Sequence, residues 1–85
     1  MKLHFTKKFI RNYRKLPKPI QPQADKQLAF LLSDPKHPSL NIKKMQDRRN
    51  IWEGRITDSY RFTFQVKDDT YILRTIGTHD ILKNP

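Results

Sequence analysis

Two arginines and one histidine near the end of the chain have side chains that could act on a phosphate ester. Arg61 and Arg74 lie in the stretch YRFTFQVKDDTYILRTIG, and His79 follows it, next to Asp80. A guanidinium can hold a phosphate through two parallel hydrogen bonds. An imidazole can transfer protons near neutral pH, and a nearby carboxylate such as Asp80 can stabilise its charged form. Taken alone, His79 could equally be an exposed histidine without a chemical role.

The net charge of the chain favours a polyanionic partner. The 85 residues contain 18 Lys and Arg against 8 Asp and Glu, which gives a formal net charge of +10. Nucleic acid is the first candidate partner, ahead of an acidic protein and an anionic membrane surface. The alternative is that the charge only keeps the protein soluble.

Several other kinds of site find no support in the sequence. The chain has no cysteine, which removes thiolate metal sites and suits a reducing compartment. His4 and His37 have no partner at a metal-ligand spacing, and two glycines are too few for a glycine-rich phosphate loop. No segment has the apolar length of a secretion signal or a membrane span. We therefore expect a cytoplasmic protein without a metal or a small-molecule cofactor.

The elements that position these side chains are predicted to form one small α+β domain over residues 1–85. Leu3 and Phe5 alternate with polar residues as in a short strand, and Thr6 can cap a following helix. Apolar residues at helical spacing predict one helix ending at Pro17 and a second ending near Asp34. These two helices form an antiparallel hairpin. Three antiparallel strands are predicted at 51–57, 60–67 and 70–77, which gives the order β-α-α-β-β-β with the helices on one sheet face.

Two-residue turns between these strands would fix which side chains share a face of the sheet. The face beneath the helices would carry Tyr60, Phe62, Phe64, Val66, Tyr71 and Leu73. The opposite, open face would carry Trp52, Gly54, Ile56, Arg61, Thr63, Gln65, Ile72, Arg74 and Ile76. A one-residue bulge would exchange the faces beyond it.

On the open face, Arg61 and Arg74 are predicted to lie side by side, because Thr63 would be opposite Arg74. Neighbouring guanidiniums repel each other unless an anion lies between them, which favours a phosphate groove over a solvated face with internal salt bridges. Glu53 and Arg55 are predicted at the edge of the apolar face, where they would pair with each other or with a helix residue.

The order of these pieces resembles the RelE/ParE superfamily of toxins from type II toxin–antitoxin systems, and specifically the RelE-like mRNA interferases. The resemblance covers nearly the whole chain and is carried by DPKHPSLNIKKM, IWEGRI, YRFTFQV and IGTHDILKNP. It implies a metal-independent endoribonuclease that cuts mRNA in the ribosomal A site and so inhibits translation. It also implies a cognate antitoxin, the ribosome and mRNA as partners.

The resemblance assigns catalytic roles to particular residues. Arg61 matches the arginine that such toxins direct at the scissile phosphate. His79 matches the position of a His or Arg that acts as an acid or a charge stabiliser, with Asp80 beside it. Glu53 and Asp80 are the candidates for the general base, and Glu53 has a structural role as its alternative.

RNA binding is expected from a further group of residues. RelE has two lysines on the strand that reads IWEGRI here, where this chain has Trp52 and Gly54. Trp52 could stack on a base or belong to the core, and Lys43 or Lys44 could replace the missing charge. The residues expected to contact RNA are Lys43, Lys44, Trp52, Arg55 and Arg74.

Two other functions stay open at this point. One is a ParE-like toxin that poisons gyrase through protein contacts. The other is a catalytically silent relative that binds only RNA or an antitoxin. The histidine after the last strand favours the nuclease, because a gyrase binder needs no proton-transfer group there.

Overall fold

A five-stranded sheet is covered on one face by two helices. The computed structural model describes all residues from 1 to 85, with strands β1 (Lys2–Phe5), β2 (Lys43–Lys44), β3 (Trp52–Arg55), β4 (Tyr60–Lys67) and β5 (Thr70–Thr78), helices α1 (Lys7–Arg14) and α2 (Gln21–Ser33), and short 3-10 turns at Pro38–Leu40 and His79–Lys83. The strand order is β1-β5-β4-β3-β2, with β1 parallel to β5 and the other pairs antiparallel. The predicted α+β class and helical hairpin are confirmed, whereas β2 was not predicted. Neither helix has the length and apolar character needed to cross a membrane.

Side-chain hydrogen bonds fix the ends of α1. The Thr6 hydroxyl accepts a hydrogen bond from the Phe9 amide at 3.1 Å and donates one to the main-chain oxygen of Leu73 at 2.9 Å. The cap therefore also ties the start of α1 to β5. At the other end, the main-chain oxygen of Tyr13 accepts from the Leu16 amide at 3.0 Å and from the side-chain amide of Gln21 at 3.3 Å.

The core lies between the helices and the covered face of the sheet. Its twelve buried residues are Phe9, Leu16, Ala24, Leu28, Leu31, Leu40, Ile56, Phe62, Phe64, Tyr71, Leu73 and Ile76. Of the set predicted beneath the helices, Val66 is the exception, because its side chain is 48% exposed. Gln27 is buried in this layer but satisfied, since its amide donates to the main-chain oxygen of Arg55 at 2.9 Å and so ties α2 to β3.

The register of the β3–β4 hairpin differs from the prediction by one residue. Gly54 lies opposite Phe62, and Arg55 lies opposite Arg61. The connection between the paired residues Arg55 and Arg61 therefore has five residues, whereas a two-residue turn was predicted. The amides of Ile56 and Thr57 both donate to the main-chain oxygen of Tyr60, as in a β-bulge. Because side chains alternate along a strand, this shift moves every residue of β3 to the other face.

The face predicted for β3 was therefore wrong. Trp52, Gly54 and Ile56 face the helices rather than the open side, and Trp52 packs against the core. Glu53 and Arg55, predicted at the edge of the apolar face, lie on the open face instead.

The pairing of β4 with β5 also differs from the prediction, because β5 contains a second bulge. Thr63 pairs with Thr75 and Phe64 pairs with Leu73, so Arg74 is an extra residue without an opposite partner. Beyond the bulge the faces exchange, which places Ile76 opposite Phe62 in the core rather than on the open face. The predicted opposition of Thr63 and Arg74 was wrong for the same reason.

Gly54 allows the Phe62 ring to lie directly against β3. A Cβ atom at Gly54 would overlap that ring, whereas a Cβ at Gly77 would meet only the Cγ2 atom of Ile81 at 3.0 Å. We expect Gly54→Ala to lower the free energy of unfolding by about 1–3 kcal/mol through overpacking. Gly77→Ala is the matched control and should cost less, because the end of a flexible side chain can move. Urea denaturation of both variants measures the difference, and equal losses would contradict the assigned face of Gly54.

Candidate functional site

The end of the open face nearest the β3–β4 turn carries two arginines and a glutamate from neighbouring strands. Arg55 lies directly opposite Arg61, and Glu53 lies opposite Thr63. Glu53 is thus a diagonal neighbour of Arg61, and diagonal neighbours have Cα atoms roughly 7–8 Å apart. The paired guanidiniums are therefore Arg55 and Arg61, rather than Arg61 and Arg74 as predicted.

Arg61 is held in place by neutral groups of the turn. Its Nη1 atom donates to the main-chain oxygen of Tyr60 at 3.0 Å and to that of Thr57. Neither partner is a carboxylate, so the positive charge of the half-buried side chain is not neutralised. The Nε and Nη2 atoms make no hydrogen bond within the chain, which leaves free the edge of the guanidinium that presents two parallel donors.

Arg55 is partly neutralised by the same turn. Its Nη2 atom forms an ion pair with the carboxylate of Asp58, and the two side chains are 39% and 88% exposed. Directly opposed like charges destabilise a sheet, and Asp58 relieves the repulsion between Arg55 and Arg61. An exposed ion pair contributes little stability, so an anion can displace Asp58 from Arg55 at small cost.

His79 contacts the turn that anchors Arg61. It begins the 3-10 turn after β5, and its Nε2 atom lies 3.3 Å from the main-chain oxygen of Asp58. The imidazole is exposed to solvent. Asp80 makes no hydrogen bond or ion pair with His79, because consecutive residues of a helical turn point in different directions. The predicted support of His79 by Asp80 is thus absent from the structure.

Glu53 is a half-exposed carboxylate without an ion pair or hydrogen bond in the chain. Its neighbours across the strands are Lys43 on β2 and Thr63 on β4. The Thr63 hydroxyl is buried and hydrogen-bonded to that of Thr75, so these two threonines form the floor of the open face beside Glu53. The Glu53 carboxylate is free to accept a proton.

Lys43, Lys44 and Trp52 do not act as one surface. Lys43 lies opposite Glu53 and so shares the open face, while Lys44 lies opposite Trp52 on the other side. The Lys44 Nζ atom is 5.9 Å from the centre of the Trp52 ring. Covered by Lys44 and packed against the core, Trp52 is not a stacking platform on the open face. The core alternative describes it correctly.

Arg74 lies away from Arg61 on the open face. Its guanidinium donates to the Gln65 side chain at 2.9 Å and to the main-chain oxygen of Pro85 at 3.1 Å. Gln65 in turn donates to the main-chain oxygen of Arg49 at 2.7 Å. Arg74 is three residues from Gly77, the partner of Arg61, which corresponds to roughly 10 Å along the strand. The two guanidiniums bond to different parts of the chain and do not converge in this structure.

The loop between β2 and β3 is fixed beside this part of the open face. Side-chain and main-chain hydrogen bonds from Arg49 hold the pKa of Asp47 at about 2, and the charge of Arg74 adds to the effect. Asp47 is therefore fully ionised at neutral pH, and its charge is directed at Arg49. No group of three or more His, Asp or Glu side chains is arranged to hold a metal ion.

One sequence signal could have located Glu53 and Arg55 correctly. A glycine within a strand commonly marks a close approach by another group, and Gly54 is such a residue because the Phe62 ring covers it. Placing Gly54 under Phe62 puts Glu53 and Arg55 on the open face. The bulge at Arg74 has no comparable signal in the sequence.

The solved structures that share this fold include bacterial and archaeal toxins. No protein-family model matches the sequence, and neither does any curated protein. The chain is similar to YafQ from E. coli strain BL21(DE3), with a TM-score of 0.78, 10% identity and 94% of each chain covered. It is similar to a YoeB/ParE toxin from Agrobacterium tumefaciens, with a TM-score of 0.76, 16% identity, and 93% of this chain and 99% of that chain covered.

A third similar structure is the RelB-RelE antitoxin-toxin complex from Methanococcus jannaschii. Its TM-score is 0.75 at 21% identity, with 94% of each chain covered. At these identities the likeness establishes the fold. The chain has the fold of these toxins, as the sequence resemblance implied.

Proposed function

We propose that this protein is the toxin of a type II toxin–antitoxin system and cuts mRNA on the ribosome. The observation that carries the proposal is the grouping of Arg61, Glu53 and His79 at one end of the open face. Arg61, whose guanidinium has two free donors, is a diagonal neighbour of the unpartnered Glu53 on the adjacent strand, and the His79 imidazole contacts the turn that holds Arg61. Strand cleavage of RNA requires these three functions: charge stabilisation, a base and an acid.

The proposed reaction begins with removal of a proton from a ribose 2′-hydroxyl by the Glu53 carboxylate. The 2′-oxygen then forms a bond to the adjacent phosphorus, and Arg61 stabilises the added negative charge on the phosphate oxygens. The bond from phosphorus to the 5′-oxygen breaks, and protonated His79 gives its proton to that leaving oxygen. The products are a 2′,3′-cyclic phosphate and a 5′-hydroxyl. Each proton transfer is assigned to a side chain, so the scheme uses no metal.

Positive charge around this group supports RNA as the substrate. Arg55 and Lys43 flank Arg61 and Glu53 on the open face. The phosphate backbone can take the place of Asp58 on Arg55, since that ion pair is exposed. With a net charge of +10, the chain attracts both mRNA and ribosomal RNA.

An antitoxin fits an apolar groove on the helical side of the molecule. The groove has a volume of about 290 Å³ and lies between β1, α1 and α2. Phe5 and Ile10 line it and are 41% and 38% exposed, and the charged residues of its lining are Arg14 and Asp25. A partner with an apolar stripe and acidic flanks would bury these side chains and pair with the basic surface of α1.

Ile10→Asp tests this docking site. We expect the variant to remain toxic but to escape neutralisation by the co-expressed antitoxin, because a charge replaces an apolar side chain that the partner would bury. Leu32→Asp is the matched control, since Leu32 is 44% exposed but lies outside the groove. Growth assays with both genes measure the effect, and equal neutralisation of the two variants would contradict the site.

Mapping of mRNA ends before and after brief induction tests the proposed activity. We expect new ends inside reading frames, phased with codons, and a rapid arrest of translation. The second candidate, a gyrase toxin, predicts induction of the DNA-damage response with unchanged mRNA ends. That second outcome would refute the nuclease.

A further inference from the structure

A positively charged pocket, separate from the candidate site, lies where β5 bulges beside the start of α1. It has a volume of about 170 Å³ and is lined by Thr6, Lys8, Arg74, Thr75 and Pro85. The lining contains two cationic side chains, two hydroxyls and no acidic side chain. None of these groups belongs to the proposed cleavage site.

The bulge brings Arg74 and Thr75 to the same side of the sheet. Thr75 faces the open side because it pairs with Thr63, and the Arg74 guanidinium is also on that side, where it bonds to Gln65. In a regular strand, consecutive side chains point to opposite faces. The extra residue therefore lets two consecutive residues of β5 line one pocket.

Neither cation of the pocket is paired with an acidic side chain. Arg74 donates through Nε to the main-chain oxygen of Pro85 and through Nη1 to the neutral side-chain amide of Gln65, and its Nη2 atom has no partner. Asp47 is within electrostatic reach, but both of its carboxylate oxygens are bonded to Arg49, at 3.0 and 2.8 Å. Lys8 is exposed and forms no ion pair.

The start of α1 adds to this positive field. Thr6 caps the helix by accepting from the Phe9 amide, which leaves the amides of Lys7 and Lys8 without an intrahelical partner. Such amides and the helix dipole favour an anion at this end.

We propose that this pocket binds a backbone phosphate of the RNA other than the scissile one. Arg74 would bind this phosphate through Nη2 and Lys8 through its ammonium group. The scissile phosphate at Arg61 would lie roughly 10 Å away along β5. The pocket holds the strand in register, so that a single phosphate lies at Arg61. The identity of the ligand rests on the proposed function, but the affinity for a phosphate backbone does not.

Binding of a short fluorescent oligothymidylate tests the inference without any cleavage, because DNA has no 2′-hydroxyl. Anisotropy is measured over a series of salt concentrations for the full chain and for Arg74→Gln, Lys8→Gln and Lys26→Gln. Each of the first two variants should bind about three- to tenfold more weakly at low salt, and the slope of log K against log salt should fall by about 0.7 for each lost phosphate contact. Lys26→Gln removes the same charge from exposed α2 and should change the slope little.

Two outcomes separate this inference from the proposed activity. If Arg74→Gln and Lys8→Gln behaved like Lys26→Gln, the pocket would not be a phosphate site, even for a protein that cuts mRNA. Lys8 makes no contact within the fold, so its variant stays informative if Arg74→Gln destabilises the protein. A smaller slope of log K against log salt in both variants would support a phosphate site in the pocket even if the mRNA ends proved unchanged.

Discussion

Arg61→Ala and His79→Ala are each expected to abolish growth arrest while leaving the fold intact. In the proposed reaction, Arg61 presents two free donors to the phosphate oxygens, and loss of such a stabilising group costs about 10²–10³ in rate. His79 is the proposed general acid for the leaving oxygen, and loss of a general acid costs about 10²–10⁴ in rate. Neither side chain belongs to the core, so we expect the thermal midpoint to change little.

Cleavage of a short mRNA on purified ribosomes measures these losses directly. Arg61→Lys retains the charge but not the two parallel donors, and it should fall between the native protein and the alanine variant. Lys26→Ala, on α2, controls for the loss of one positive charge. A double variant of Arg61 and His79 that remained fully toxic would show that the site has been misassigned.

Glu53→Gln is expected to reduce the rate of cleavage by about 10²–10⁴ because the amide cannot accept the 2′-hydroxyl proton. The shape of Glu53 is preserved, and the residue makes no ion pair whose loss could unfold the chain. A rate loss at an unchanged thermal midpoint distinguishes a base from a residue that only stabilises the fold.

Glu53→Asp provides the matched comparison for this variant. It keeps the carboxylate but withdraws it by one methylene, so we expect partial activity. If Glu53→Gln cleaved at the native rate, the base would have to be another group and Glu53 would have a structural role.

The elements of this fold follow from local patterns in the sequence. Thr6 caps α1 as expected, and the apolar spacing of Phe9 and Leu16 correctly predicts the buried stripe of that helix. The three long strands are found within about two residues of their predicted bounds. Ile10 and Leu32 match the helical pattern but remain exposed, since a pattern cannot say where a core ends.

The faces of the sheet were harder to predict because they depend on single residues. A bulged turn after β3 and an extra residue at Arg74 each shift the alternation by one position. The first shift brought Glu53 and Arg55 to the open face and moved Trp52 to the core. The second separated Arg74 from Arg61. A register error of one residue therefore changes the candidate site more than it changes the fold.

The observed faces of the sheet add a carboxylate and a second guanidinium to the candidate site predicted from the sequence. On the predicted open face, Arg61 had no carboxylate beside it, and the general base was unassigned. The observed register supplies Glu53 as a diagonal neighbour and Arg55 as a second guanidinium. Arg74, no longer beside Arg61, instead belongs to a pocket of its own.

The chemistry of the RNA ends produced on the ribosome tests the central claim most directly. Attack by the 2′-hydroxyl, with Glu53 as base and His79 as acid, leaves a 2′,3′-cyclic phosphate on the upstream fragment and a 5′-hydroxyl on the downstream fragment. Mass spectrometry of the two fragments from a defined mRNA distinguishes the possibilities. A 3′-hydroxyl with a 5′-phosphate, or no cleavage by the native protein, would contradict the account.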